Sequence, residues 1–270
     1  MRILYVAELV GKAGIYALKK ALPELKKNRQ VDFTLVCADG ATGGNGLGRS
    51  HAAYIRKLGA DALTTGDFCF YKKDLVENWA PYVLRPHNLD PSLPGAGWRV
   101  FKTAGNVRVA AAVLLGRHFS RIRGTNPFTG LEGLLEKLRR ETPWVILDFH
   151  SWASGEKRTL FAAAAGRCTA VIGSHNRVQT ADEEILDGTA VICDAGRTGS
   201  AESVGGTAVA VKIGEYLTGI PNWTREAWER CELQGLLVET GKEGRALKVE
   251  RIRVPVSAAG VDTGVSKAGS

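Results

Sequence analysis

The sequence predicts an α/β fold: two packed β-sheets with helices on their outer faces, an α/β/β/α sandwich. Three observations predict it. The first third alternates apolar strand-like runs with amphipathic helix-like runs, the pattern of parallel strand–helix–strand units. The later part carries two antiparallel hairpins, which a purely doubly wound parallel sheet does not account for. No Pro/Gly/Ser-rich linker interrupts the chain, so both patterns belong to one domain over residues 1–254.

Residues 3–6 are an apolar strand, followed by a loop at 8–14 and an amphipathic helix at 15–27 that Pro23 should end or kink. Residues 33–37 form the next strand and lead into a glycine-rich loop at 38–48. That loop has neither a Walker lysine nor the GxGxxG spacing, which excludes a nucleotide-fold fingerprint. Its glycines mark backbone that must bend close to something. A helix at 50–58 and a strand at 62–65 follow, and Gly66-Asp67-Phe68 leaves the strand end. Residues 72–78 look helical. Residues 83–88 form a short strand entering a turn, with loop at 91–97. Runs 98–103 and 107–115 pair as a hairpin around Gly105-Asn106. After a long loop at 116–129, a helix at 131–140 places Glu132, Glu136 and Arg140 at i,i+4 spacing.

Two apolar runs then end alike. Trp144-Val145-Ile146-Leu147 leads into Asp148-Phe149-His150-Ser151, and Cys168-Thr169-Ala170-Val171-Ile172 leads into Gly173-Ser174-His175, with a helix at 156–165 between them. A strand at 190–194, a segment at 204–217 that begins strand-like and ends helical, and a hairpin of 231–239 with 246–252 complete the chain. Residues 255–270 are small and polar and read as a disordered tail.

Composition narrows the class. The chain has 270 residues, 44% hydrophobic and 24% charged, which suits a globular protein with a sizeable core. No apolar stretch reaches the ~20 residues of a membrane span, and the N-terminus enters a strand without a signal sequence. Five scattered cysteines make neither a disulfide framework nor a CxxC zinc pattern, so a reducing cytoplasm is the expected compartment. The net charge of +8 is dispersed over helix-like faces, such as Lys19-Lys20 and Arg139-Arg140, and gives nucleic acid only weak support as a partner.

Polar residues follow five of these strands: Glu8, Asp39, Asp67, His150 and His175. One strand-end carboxylate is as readily a helix cap as a ligand, and one such histidine is ordinarily a hydrogen-bonded loop residue. Five at equivalent places, where open α/β sheets put their ligand sites, are a carboxylate and imidazole set suited to a divalent transition metal.

At these residues the sequence resembles the calcineurin-like metallophosphoesterases, and among them the bacterial YmdB-type phosphodiesterases. The resemblance spans Met1 to about Ile252. Its most specific segments are Met1-Arg2-Ile3-Leu4, Val10-Gly11-Lys12-Ala13-Gly14, Leu84-Arg85-Pro86-His87-Asn88, Asp148-Phe149-His150, Val178-Gln179-Thr180-Ala181-Asp182-Glu183 and Leu217-Thr218-Gly219-Ile220-Pro221. It implies a two-sheet sandwich with a two-metal site at one sheet edge, iron or manganese as the metal, and hydrolysis of phosphodiesters including 2′,3′-cyclic nucleotides.

The site departs from the family pattern. Glu8 stands for an Asp, Asp39 for the bridging Glu, Gly40 for an Asn, Asp67 for the Asn of Gly-Asn-His, Phe68 for its proton-donating His, and Arg177 for the last His of His-x-His. The resemblance assigns one metal to Asp39, Asp67, His150 and His175, all good ligands. The other falls to Glu8, Asp39, Gly40 and Arg177. Glycine has no ligating side chain, and a protonated guanidinium has no lone pair to give. The expectation is one metal rather than two, with Glu8 an outlying ligand. Arg177 would fill the vacated position, and Arg177 and Asn88 are the candidates for holding phosphate. With Phe68 at the proton-donor position no residue is assigned as acid. His87 and His118, both in loops, are read as surface histidines. The expected function is a weakened phosphodiesterase acting on a small phosphodiester or nucleotide. The alternative is a catalytically inactive relative that binds a nucleotide, a phosphate or a regulatory partner. Homo-oligomerisation is left open.

Overall fold

The computed structural model describes residues 1–118, 120–222 and 226–256. In chain order the strands are β1 (Arg2–Val6), β2 (Glu8–Leu9), β3 (Phe33–Cys37), β4 (Ala62–Thr64), β5 (Val83–Leu84), β6 (Trp98–Lys102), β7 (Arg108–Leu115), β8 (Val145–His150), β9 (Ala170–Ser174), β10 (Glu184–Leu186), β11 (Thr189–Ile192), β12 (Arg197–Ser200), β13 (Cys231–Thr240) and β14 (Ala246–Pro255). The helices are α1 (Gly11–Arg29), α2 (Arg49–Lys57), α3 (Lys73–Val76), α4 (Pro127–Glu141), α5 (Ser154–Ala164) and α6 (Val209–Thr218).

The strands form two sheets. One has the order β2-β12-β13-β1-β3-β4-β5, with β14 also paired to β13; the other has the order β10-β11-β9-β8-β7-β6. Strands β1, β3, β4 and β5 run parallel, as do β7, β8, β9 and β11. The predicted hairpins are β6/β7 and β13/β14, both antiparallel.

Alternation along the strands builds the layers. Ile3, Tyr5, Phe33 and Leu35 face Val109, Ala111, Val113, Ile146 and Ile172 in one buried cluster between the sheets. The alternate residues Leu4, Val6 and Val36 pack outward on Leu18, Leu22 and Leu25 of α1 and Ile55 of α2. On the far side Val145, Leu147, Phe149 and Val171 pack on Leu134, Leu135 and Leu138 of α4 and on Leu160 and Phe161 of α5. A period of two thus sends successive side chains into different layers, and the four layers are those predicted.

Four local expectations need correction. Helix α1 starts at Gly11 and continues through Pro23 to Arg29. Pro23 lies on the exposed face, where water can take the freed carbonyl, while Leu22 and Leu25 beside it are buried in the core. Strands β2, β10 and β12 were not expected: they are two to four residues long, and Glu8–Leu9 gains strand geometry only by pairing with Arg197 and Thr198. The segment before α6 is not a strand but a turn in which Val204 and Thr207 exchange backbone hydrogen bonds across Gly205 and Gly206, both at positive φ. Strand β14 extends to Pro255, and the Val256 N–H donates to the Cys231 carbonyl. The disordered-tail expectation for 257–270 lies outside the described residues.

Candidate metal centre

Parallel strands β1, β3, β4, β8 and β9 deliver their carboxyl ends to one edge of the sandwich. There Asp67, His150 and His175 each offer a ligand atom within 4.8 Å of the other two. His175 Nδ1 is 2.8 Å from His150 Nε2, and 3.7 Å from Asp67 Oδ2. Asp39 Oδ2 lies 3.5 Å from His150 Nε2. It stands beside the tight trio rather than in it, because its oxygens accept backbone N–H groups from Gly66 (2.6 Å) and Phe68 (3.2 Å).

Gly66 is required here. A Cβ at that position would come within 2.4 Å of three ring atoms of His150. His175 holds φ at 101° and Arg177 at 60°, left-handed values unusual for non-glycine residues and common at functional sites.

Hydrogen bonds fix the proton positions on His150. The Ser174 hydroxyl donates to Asp148 Oδ1 (2.7 Å), so its oxygen is left to accept from His150 Nδ1 at 3.0 Å. That places the proton on Nδ1 and leaves the Nε2 lone pair facing the trio. Tyr5 and Thr64 hydroxyls donate to Asp148 Oδ2 and hold the relay rigid. Such outer partners orient ligating histidines. Burial holds the His150 pKa well below its ordinary value, with His175, Lys157 and Arg177 adding to the effect. Burial, then Arg177, Lys157 and Arg121, bring His175 down to about 3. Both rings are therefore neutral, the form that binds metals.

The acids are shifted the other way. Burial raises Asp39 well above the usual carboxylate range, with Glu8 adding to it and two backbone N–H groups opposing. Burial also raises Asp67, against hydrogen bonding from Ser120, the Arg121 backbone and the Trp152 side chain. Asp67 Oδ2 is buried and has no hydrogen-bond partner among the described residues. An orphaned carboxylate oxygen facing two neutral imidazoles fits a divalent transition metal, since such an oxygen is costly to bury otherwise.

The neighbouring half of the site is different. Arg177 reaches Glu8 Oε1 through Nε (3.0 Å) and Nη2 (2.7 Å), and donates to the carbonyls of Gly44 (2.8 Å) and Gly205 (3.0 Å). Glu8 is 2% exposed. Burial would lower the Arg177 pKa, but Glu8's charge and hydrogen bonds outweigh it and raise the pKa. A Cβ on Gly40 would sit 2.8 Å from both Arg177 Nη2 and Glu8 Oε1. The guanidinium thus occupies the space a side chain at position 40 would enter.

Other residues complete the surroundings. Lys157, 1% exposed, donates through Nζ to Asn176 Oδ1 (2.7 Å) and Asp194 Oδ2 (3.2 Å), pinning the residue between His175 and Arg177. Ser120 Oγ donates to Asp67 Oδ1 (2.7 Å), and the Arg121 guanidinium carbon lies 5.3 Å from the Phe68 ring. Phe68 packs edge-on against Tyr71. A cleft of about 460 Å³ opens beside His175, lined in part by Phe68, Arg121, Trp152, Arg177 and Lys212.

Asn88 is placed elsewhere. Its amide donates to the Leu115 (2.9 Å) and Thr125 (2.7 Å) carbonyls, and its oxygen accepts from Leu115 N–H (2.8 Å). It is a strut beneath the long loop and does not line this cleft, so the expectation that it faces phosphate is corrected: its polar atoms are committed to backbone. His87 lines the same separate cavity as Asn88. His118 is exposed and 3.4 Å from Glu156.

Sequence reasoning did not find Ser120, Arg121, Asp148, Lys157, Trp152 or Ser174. The arginine-rich loop at 117–123 and a tryptophan two residues beyond His150 were the available signals.

A family model described as YmdB-like protein matches residues 4–252. The chain is 33% identical over 258 residues to a 2′,3′-cyclic-nucleotide 2′-phosphodiesterase of Bacillus subtilis, covering 94% of this chain and 97% of that protein. Among solved structures it resembles a phosphatase from Mycoplasma pneumoniae with TM-score 0.88 and 28% identity, covering 94% and 93% of the two chains. A 5′-nucleotidase precursor from Thermus thermophilus, at TM-score 0.55 and 11% identity, covers 94% of this chain and 54% of its own and shares the fold alone.

Proposed function

This chain belongs to the YmdB-like family, and from that premise we propose that it is a metal-dependent phosphodiesterase with one metal position, a guanidinium standing where a second metal would otherwise sit. The observation that carries this reading is the contrast within the site: Asp67, His150 and His175 bring ligand atoms within 4.8 Å of one another with no cationic side chain among them, whereas beside Glu8 and Gly40 the Arg177 guanidinium supplies one. The similarity to the Bacillus phosphodiesterase supports a cyclic nucleotide or related diester as substrate.

The three convergent residues would hold the metal, with Asp39 as the neighbouring carboxylate. When bound, a divalent metal supplies Lewis-acid polarisation of a phosphoryl oxygen and a water of lowered pKa. Iron or manganese suits these oxygen and imidazole ligands. Arg177, bonded to Glu8, Gly44 and Gly205, adds a fixed positive charge and its remaining Nη1 donor for a phosphate oxygen. The Ser174–Asp148 relay keeps His150 in its ligating tautomer. Phe68 carries no proton for the leaving oxygen, a step worth about 10²–10⁴-fold, so turnover is slow. Five buried, unpaired cysteines support a reducing, cytoplasmic setting.

Phe68 also favours a second reading, an inactive relative that binds a nucleotide or phosphate without chemistry. A diesterase assay on a 2′,3′-cyclic nucleotide with and without added manganese or iron separates them. Slow hydrolysis that vanishes on chelation is expected. Nucleotide binding with no turnover under any metal would replace the first reading by the second.

A further inference from the structure

Resting on the phosphodiesterase reading, the geometry points to Trp152 as the stacking platform that orients the base of a nucleotide substrate. Trp152 follows His150 at the sheet edge and lines the cleft with 44% of its surface exposed. Small-molecule sites are lined largely by apolar and aromatic side chains around a few polar groups. The Trp152 ring lies 4.3 Å from the His175 ring, tilted by 50°. The indole is thereby packed against one of the three convergent residues.

The same cleft is lined by Phe68 and by Arg121, which lies over the Phe68 ring. Arginine and aromatic planes are the surfaces on which bases stack regardless of sequence. A phosphate placed at the convergent trio and Arg177 leaves the sugar between them and the cleft, with the base against Trp152. The cleft volume of about 460 Å³ lies within the range of small-ligand sites and admits one nucleoside. Phe68, which replaces a proton donor, thus acquires a binding role as part of the aromatic wall.

Titration calorimetry with manganese present tests this, using adenosine 3′-monophosphate, glycerol 2-phosphate and inorganic phosphate as probes. The nucleotide should bind at least about tenfold more tightly than glycerol 2-phosphate. Trp152→Ala should weaken the nucleotide about 5- to 150-fold more than it weakens the other two probes, the equivalent of ~1–3 kcal/mol of base stacking. Trp152→Phe should recover most of the loss. Equal affinity for nucleotide and glycerol 2-phosphate, or an alanine variant that weakens all probes alike, would overturn the stacking role and leave the phosphodiesterase reading standing. Binding of none of the three would overturn both.

Discussion

The two halves of the site share a sheet edge and lie within one loop of each other, yet they answer the same electrostatic problem differently. Around Asp67, His150 and His175 the chain gathers acceptors and neutral rings and leaves Asp67 Oδ2 without a donor. Around Glu8 it supplies the cation itself, since Arg177 neutralises the carboxylate and is anchored to the Gly44 and Gly205 carbonyls. A buried carboxylate must be paired or must coordinate. Among the described residues each half keeps one buried carboxylate oxygen unpaired, Asp67 Oδ2 and Glu8 Oε2, but only the second half carries its own cation, on Glu8 Oε1.

The largest effect should come from removing a ligand of the first half. Asp67→Ala is expected to abolish metal retention and lower metal-dependent diester hydrolysis on the order of 10³-fold, the several kcal/mol a metal contributes to charge stabilisation. Plasma emission analysis and the diesterase assay read it, and a variant that keeps its metal would dissolve the distinction between the halves. Next is the built-in cation. Arg177→Met strands a buried Glu8 and should cost about 3–5 kcal/mol of stability in chemical denaturation, with the double variant carrying Glu8→Leu less destabilised than the two singles added. A cost below about 1 kcal/mol would mean that the guanidinium behaves as a solvated surface charge.

Converting the second half back should act in the opposite direction. Phe68→His combined with Arg177→His restores a proton donor and a lone pair, and hydrolysis of a chromogenic diester should rise about 10²-fold, the lower end of general-acid catalysis. An unchanged rate would show that position 68 does not face the leaving oxygen.

The smallest effect is a pH dependence. His175 has a folded pKa of about 3 against an ordinary 6.5, so below pH 6.5 the unfolded chain takes up a proton that the folded site refuses. The stability of the neutral ring is complete above pH 6.5 and is lost as pH falls toward 3. Between pH 7 and pH 5, in chelator, wild type should lose about 2 kcal/mol that His175→Gln does not lose. Equal losses would mean that the ring is protonated without penalty in the folded protein.

These contrasts also explain what was legible in the sequence. The layers could be read because Ile3 and Tyr5 alternate with Leu4 and Val6, and the second sheet's strands are long apolar runs whose ends deliver His150 and His175. The place of Arg177 in the second half was legible only through the family resemblance, which maps it onto a metal ligand's position. The rest was set by residues far apart in sequence. Strand β12 exists by pairing with Glu8–Leu9 and with Cys231 and Glu232, contacts no local pattern encodes. Ser120 and Arg121 reach Asp67 across 53 and 54 positions because the long loop folds over the sheet edge, with Asn88 as its strut. Asn88 itself looked like a ligand residue because polarity in a specific motif does not reveal whether a carboxamide faces a cleft or a backbone.

The central claim is that this site holds one metal, beside a guanidinium. Its most direct test is metal content per chain after saturation with manganese or iron and removal of excess, paired with anomalous scattering from a crystal of the loaded protein. The account predicts one equivalent, with a single peak among Asp67, His150 and His175. Two equivalents, with a second peak between Glu8 and Gly40, would contradict it, and so would a protein that retains none.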